Sequence, residues 1–251
     1  MKNIYKFKSS TFSIITCLIM GVSSTQLLAH TRLDVPTMVE GTRLINHLVA
    51  HSCGENTMLG TSIVIPDGID STILVDGQPH TGPISDYLTN FGNNAQLMFN
   101  RAAFDLMQEK TDSLGNVVGF WAGGGPGMHH SLNAATQLRI TAPNIEPTSC
   151  ANSVKVNISI ANICKITGVD QFATAGVVDL WTHNSLGTPY DRVGSTTDDG
   201  PAPWTITRDL TANPLPNTCG STGVAVEIKP SANQINRDMP IIYNGQQVWP
   251  Q

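Results

Sequence analysis

Apolar and polar residues alternate with a period of two through most of the chain beyond residue 30. In residues 43–51, Leu44, Asn46, Leu48 and Ala50 share one face, and Arg43, Ile45, His47, Val49 and His51 share the other. That is the pattern of a strand with one buried side. Residues 31–35 alternate in the same way and stop at Pro36, so the two runs are expected to pair as the opening strands of a sheet. Further strands are expected at 61–65, 73–75, 116–121, 137–142, 154–160, 177–181, 204–207 and 223–228. Many short strands between Gly- and Pro-containing turns predict an antiparallel β-sandwich. Residues 78–112 fit least well. The helix formers of 101–110 predict a short helix, or a strand and a helix, as an insert. After residue 228 the chain reads as a polar tail.

The first residues follow a different pattern. Lys2, Lys6 and Lys8 precede an apolar run, Phe12 to Val22, that is too short to span a bilayer and gives way to small residues. Residues 1–29 read as a secretory signal, with Ala29 before the cut and His30 as the first residue of the mature chain. No later stretch predicts a membrane span. The periplasm or the exterior is the expected location.

Composition supports export. Only 13% of residues are charged and 6% are aromatic, which suits a loop-rich β protein more than a helical one. Residues 1–29 hold three lysines and no acid, so their removal takes the formal charge from −5 to about −8. An acidic chain argues against nucleic acid as a partner and weakly favours cations. Cys53, Cys150, Cys164 and Cys219 remain in the mature chain. An even count in an oxidising compartment predicts two disulfides, in any of three pairings.

The histidines carry the candidate chemistry. A free N-terminal His30 offers its α-amine and its imidazole Nδ1 to one metal ion. His47 and His51 lie four apart on one strand face, roughly 13 Å from each other, so at most one of them joins His30. Met128-His129-His130 follows a Gly-rich loop and adds possible soft donors. Hydrolase, P-loop and dinucleotide-binding motifs do not occur in the sequence.

The ordered series His30-Thr31-Arg32-Leu33-Asp34-Val35-Pro36, Gly41, His51-Ser52-Cys53, Ile65-Pro66-Asp67-Gly68, Trp121-Ala122-Gly123-Gly124-Gly125, Cys164, Trp181 and Pro201-Ala202-Pro203 resembles the YcnI-like periplasmic and extracellular copper-binding proteins over residues 30–208. The resemblance implies an immunoglobulin/fibronectin III-like sandwich. It implies Cu(II) held by the amine and imidazole of His30, with Trp121 shielding the ion. The family's strand-two carboxylate is missing, because Arg43 or Leu44 stands in its place. A turn over 37–41 would bring His47 about opposite His30, so His47 is the first replacement ligand, His51 the second and Glu40 the third.

The resemblance also implies pairing of Cys53 with Cys164. Cys150 and Cys219 would then pin residues 209–251, an extension, onto the sandwich at ~2–4 kcal/mol per bridge. The implied function is non-enzymatic copper handling, with a copper ion and another copper-handling protein as partners. The alternatives are an N-terminal-His copper monooxygenase, with His129 or His130 as second ligand, and a structural or adhesive sandwich without metal.

Overall fold

A computed structural model describes residues 31–251. The signal segment and His30 lie outside the described residues. The strands in chain order are β1 (Arg32–Leu33), β2 (Thr37–Val39), β3 (Arg43–His51), β4 (Met58–Val64), β5 (Ser71–Val75), β6 (Gln78–His80), β7 (Leu88–Thr89), β8 (Ala95–Leu97), β9 (Leu106–Thr111), β10 (Val117–Met128), β11 (Asn133–Thr141), β12 (Asn144–Ile145), β13 (Ala151–Ile163), β14 (Val178–Trp181), β15 (Ala202–Thr207) and β16 (Val224–Pro230). One helix, α1 (Ala232–Asp238), and a hairpin of β17 (Ile241–Tyr243) and β18 (Gln246–Trp249) finish the chain. Among the described residues no helix is long and apolar enough to cross a membrane.

The protein is an all-β sandwich. One sheet has the order β1-β3-β11-β8, and the other runs β6-β5-β16-β13-β4-β10-β9. The alternation of β3 works as its sequence predicts: Asn46, Leu48 and Ala50 are buried. Leu33, Leu48, Leu138 and Ile140 of the first sheet meet Ile63, Val156, Ile158 and Ile160 of the second in one core. Each such side chain removed from water contributes about 1.5–3 kcal/mol.

The second sheet is buried on both sides. Ile63 and Ile160 face the sandwich core, while their neighbours Val64 and Ala161 face a second apolar cluster with Phe172, Tyr190, Ile235, Met239 and Trp249. Two-sided burial means that polar side chains on these strands are themselves buried, and that they are small or uncharged: Thr61 and Ser62 in β4, and Asn157, Ser159 and Asn162 in β13. β13 also changes neighbours along its length. Its first half lies between β15 and β16, and its second half between β4 and β14.

Three expectations change. The helix expected at 101–110 is instead the strand β9, whose Leu106–Thr111 pairs with β10. Cross-strand pairing overrides the helix propensity of Met107, Gln108, Glu109 and Lys110. The sheet is not wholly antiparallel, since β16 lies parallel to β13 and β2 parallel to β15. Finally, residues 209–251 are not an appendage. β16 is an interior strand between β13 and β5, and Ile235, Met239 and Trp249 are each 0% exposed.

A half-buried lysine ties that C-terminal part to the sheet. Lys110 Nζ donates to Ser62 Oγ at 2.6 Å, to Met239 O at 3.3 Å and to Asp238 O, so it satisfies carbonyls at the end of α1. Burial pushes the Lys110 ammonium down to about 7, against an opposing pull from Asp238. Both disulfides form, Cys53–Cys164 and Cys150–Cys219, with Cα atoms 6.1 and 5.2 Å apart. They match the pairing implied by the resemblance and are typical of an oxidising compartment.

Candidate metal centre

The described chain begins at a latch. Thr31 is 1% exposed, and its Oγ1 accepts from Asn162 Nδ2 at 2.7 Å, while Thr61 Oγ1 donates to Asn162 Oδ1 at 3.1 Å. This buried polar chain fixes the start of β1 against the middle of the second sheet, with every partner satisfied. β1 then pairs with β3, Arg32 opposite Val49 and Leu33 opposite Leu48.

The end of β3 brings His51 to the same place. Its side chain is 18% exposed. Nδ1 lies 2.9 Å from Ser52 O. A carbonyl oxygen only accepts, so Nδ1 carries the hydrogen and Nε2 carries the lone pair. Nε2 is buried and has no hydrogen-bond partner among the described residues. A backbone carbonyl that holds one imidazole nitrogen as donor, leaving the other to face outward as a base, is the usual support of a metal-ligating histidine. The Cys53–Cys164 bridge sits next to it and locks the end of β3 to the end of β13.

β14 supplies the walls. Its alternation puts Asp179 and Trp181 on one face, and in the ladder Asp179 lies opposite Asn162 and Trp181 opposite Ile160. Trp181 packs edge-on to His51, ring centroids 5.5 Å apart at 77°. Trp181 Nε1 donates to Asp179 Oδ2 at 3.0 Å, and that oxygen is 3.8 Å from His51 Nδ1. The Arg192 guanidinium lies over the Trp181 ring, 5.2 Å from its centroid, and pairs with Asp199. His51, Asp179, Trp181 and Arg192 border a cleft of about 890 Å3, whose rim includes His130 and Glu55, 3.3 Å apart.

The remaining candidates lie elsewhere. His47 pairs with Gln137, and its carbonyl accepts from Asp34 N at 2.8 Å, which puts it opposite Asp34 and four residues along the strand from His51. The register differs from the expected one because residues 37–39 form β2 on β15 instead of part of a wide turn. Glu40 has its carboxylate fully engaged. It accepts from Ile145 N at 2.6 Å, Asp209 N at 2.8 Å and Asn213 Nδ2 at 3.1 Å, so it works as a structural tie.

Trp121 is 5% exposed in the outer cluster, edge-on to Tyr243 at 5.8 Å, and is not among the residues lining the His51 cleft. The indole at His51 is Trp181. Met128 is buried beside Cys53 and Cys164, and the His129 ring lies tilted against His130, centroids 4.2 Å apart at 37°. His183 also has a buried Nε2 without a partner among the described residues, but its Nδ1 is committed to Asp198 at 2.8 Å. Burial lowers its pKa despite Asp198.

Among the described residues no three His, Cys, Asp or Glu side chains converge as a complete metal site. Asp179 was not found by sequence reasoning. Its signal was the i, i+2 spacing from Trp181 on an alternating strand.

No family model and no curated protein matches the chain. Among solved structures it is similar to an uncharacterized protein from Nocardia farcinica with an immunoglobulin-like fold, at 12% identity and a TM-score of 0.39, over 71% of this chain and 97% of that one. It is also similar to a type II cohesin domain from the cellulosome of Acetivibrio cellulolyticus, at 9% identity and a TM-score of 0.25, over 69% of this chain and 91% of that one.

Proposed function

We propose that this is an exported copper-binding protein of the periplasm or exterior, which holds Cu(II) between the N-terminal His30 of the processed chain and His51. The observation that carries the reading is the His51 Nε2 lone pair, buried and without a partner among the described residues. The register supports the choice of His51 over His47. Arg32 stands opposite Val49 and Leu33 opposite Leu48, so β1 runs back from its pairing toward the His51 end of β3 and away from His47.

His30 would contribute its α-amine and one ring nitrogen, and His51 its Nε2. Such a nitrogen set in tetragonal arrangement suits Cu(II) over softer ions. Trp181, in place of Trp121, walls one side of His51 and limits access of water and competing ligands. The Thr31–Asn162–Thr61 latch fixes the residue that follows His30. Bound copper would be carried for storage or passed to another copper-handling protein.

The test compares two forms of the full mature chain, one beginning at His30 and one with a single extra glycine before it. The extra residue turns the amine into an amide. Competition titration is expected to show Cu(II) affinity lower by on the order of 100-fold, about 2.7 kcal/mol, in the extended form. Equal affinity of the two forms, or a mature N-terminus other than His30 by mass spectrometry, overturns the reading. Absence of copper binding in both favours a purely structural sandwich.

A further inference from the structure

The apolar clusters differ in composition. The sandwich core and the outer cluster are rich in Leu, Ile and Val, and each holds a single methionine, Met38 in the first and Met239 in the second. The third cluster, near the end of β3, has no Leu, Ile or Val among its members. Alanines, Phe104 and the Cys53–Cys164 bridge pack there with three methionines, Met58, Met107 and Met128. We propose that Met58, Met107 and Met128 form a Cu(I) site. It uses neither His30 nor His51, so it stands or falls apart from the reading above.

Three strands bring these side chains to one place. Met58 of β4 stands opposite Met128 of β10, and Met107 of β9 stands opposite Ala122, a member of the same cluster. Met128 rejoins the β4 ladder only after an irregular stretch that follows Gly123. In that stretch Gly124, Gly125 and Gly127 take φ values of 80°, 76° and 75°. This left-handed region suits glycine and few other residues, so the bulge that returns Met128 to the cluster is written into the sequence. Met58 is 0% and Met128 5% exposed, while Met107 is half-buried. The cluster is dry but has one side open to an ion.

A methionine can do here what a leucine cannot. Its thioether is a soft, uncharged donor of the kind that selects Cu(I). Its unbranched chain lets the sulfur turn toward a ligand without moving the strand. Packing alone seldom calls for three methionines in one small cluster, because such flexible side chains specify a core poorly. Cys53 and Cys164 are joined to each other, so neither offers a thiolate, and the thioethers are the soft donors left in the cluster. Taking an ion out of water costs more the higher its charge, so a dry set of neutral donors favours a monovalent ion over a divalent one.

Met→Leu removes the sulfur while conserving volume and apolar character, so the fold is expected to survive it. Cu(I) is supplied without oxygen as a nitrile complex, free of thiol reductants so that both disulfides stay closed. Affinity is read by competition with a chromophoric Cu(I) chelator. Met58→Leu, Met107→Leu and Met128→Leu are each expected to lose at least the roughly tenfold that removal of even an outer-shell partner costs a metal site, and the triple variant to lose Cu(I) binding altogether. The glycine-extended chain, which blocks the α-amine of His30, is expected to keep Cu(I) affinity unchanged. A wild-type chain that does not bind Cu(I), or a folded triple variant that binds it as well as wild type, overturns the proposal and leaves the Cu(II) reading untouched. If thermal melting shows that the variants are unfolded, X-ray absorption of the Cu(I)-loaded wild type carries the test. Sulfur neighbours around copper are expected, and a shell of nitrogen and oxygen alone overturns the site.

Discussion

Glu40 and His51 flank the two ends of one strand, β3, and both are polar groups drawn into the structure. Their surroundings differ in one respect. Both oxygens of Glu40 are occupied, by two backbone N–H groups and the Asn213 amide. His51 is half used: Nδ1 is bonded, while Nε2 is buried with no partner among the described residues. A saturated polar group explains itself by the loops it ties together. A buried lone pair is costly unless something supplies a partner. The difference separates a structural carboxylate from a candidate ligand better than residue type does.

Breaking the His51 side should give the largest effect. His51→Ala is expected to weaken Cu(II) binding of the processed chain by about 100-fold or more, about 2.7 kcal/mol, while His47→Ala stays within about twofold in the same titration. Loss on His47→Ala instead would return the second ligand to the middle of β3. Breaking the Glu40 side should register in stability. Glu40→Ala leaves Ile145 N, Asp209 N and the Asn213 amide without their acceptor, and is expected to cost about 2 kcal/mol in urea unfolding with copper affinity unchanged. Unchanged stability would remove the distinction drawn here.

The smallest effect concerns His183, the other histidine with an unpartnered Nε2 among the described residues. Its partner Asp198 is raised by burial, but the hydrogen bonds from Lys229 and His183 outweigh this and hold it at about 2. The folded value is below the usual carboxylate value of about 3.9. The stabilisation is therefore present above about pH 4 and is lost as pH falls towards 2. Asp198→Asn should flatten that acid limb in thermal melts between pH 2 and 6 without affecting copper. An unchanged limb would show that the pair is not coupled to folding.

The strands that alternate cleanly could be read from sequence. Residues 43–51 and 137–142 appear as β3 and most of β11, because one face of each meets the core and the other meets solvent. β9 was hidden, since Met107, Gln108, Glu109 and Lys110 prefer helix in isolation and only the pairing with β10 makes them a strand. The C-terminal part was hidden for a related reason. Its apolar residues Ile235, Met239 and Trp249 are widely spaced among polar ones, yet all three converge under the second sheet. At the site, His51 was within reach of sequence reasoning as the second candidate after His47, and its proposed precedence rests on register. Register was set by a feature the alternation does not show, the pairing of Thr37–Val39 with β15. In the sequence Asp179 and Trp181 are visible only as a strand-face pair; their place beside His51 follows from the pairing of β14 with β13.

The interior position of β16 has a consequence in time. The second sheet is closed only when Val224–Pro230, near the end of the chain, enters between β13 and β5, the latter made about 150 residues earlier. β4 and β13 are likewise joined across about 100 residues. Topologies built from such distant pairings fold slowly, in milliseconds to seconds, because loop closure must precede the contacts that reward it. For a chain proposed to cross a membrane before it folds, this delay is useful. If the chain is exported as proposed, it would stay threadable until β16 has emerged, and the His51 pocket, framed by β13 and β14, would take shape on the far side.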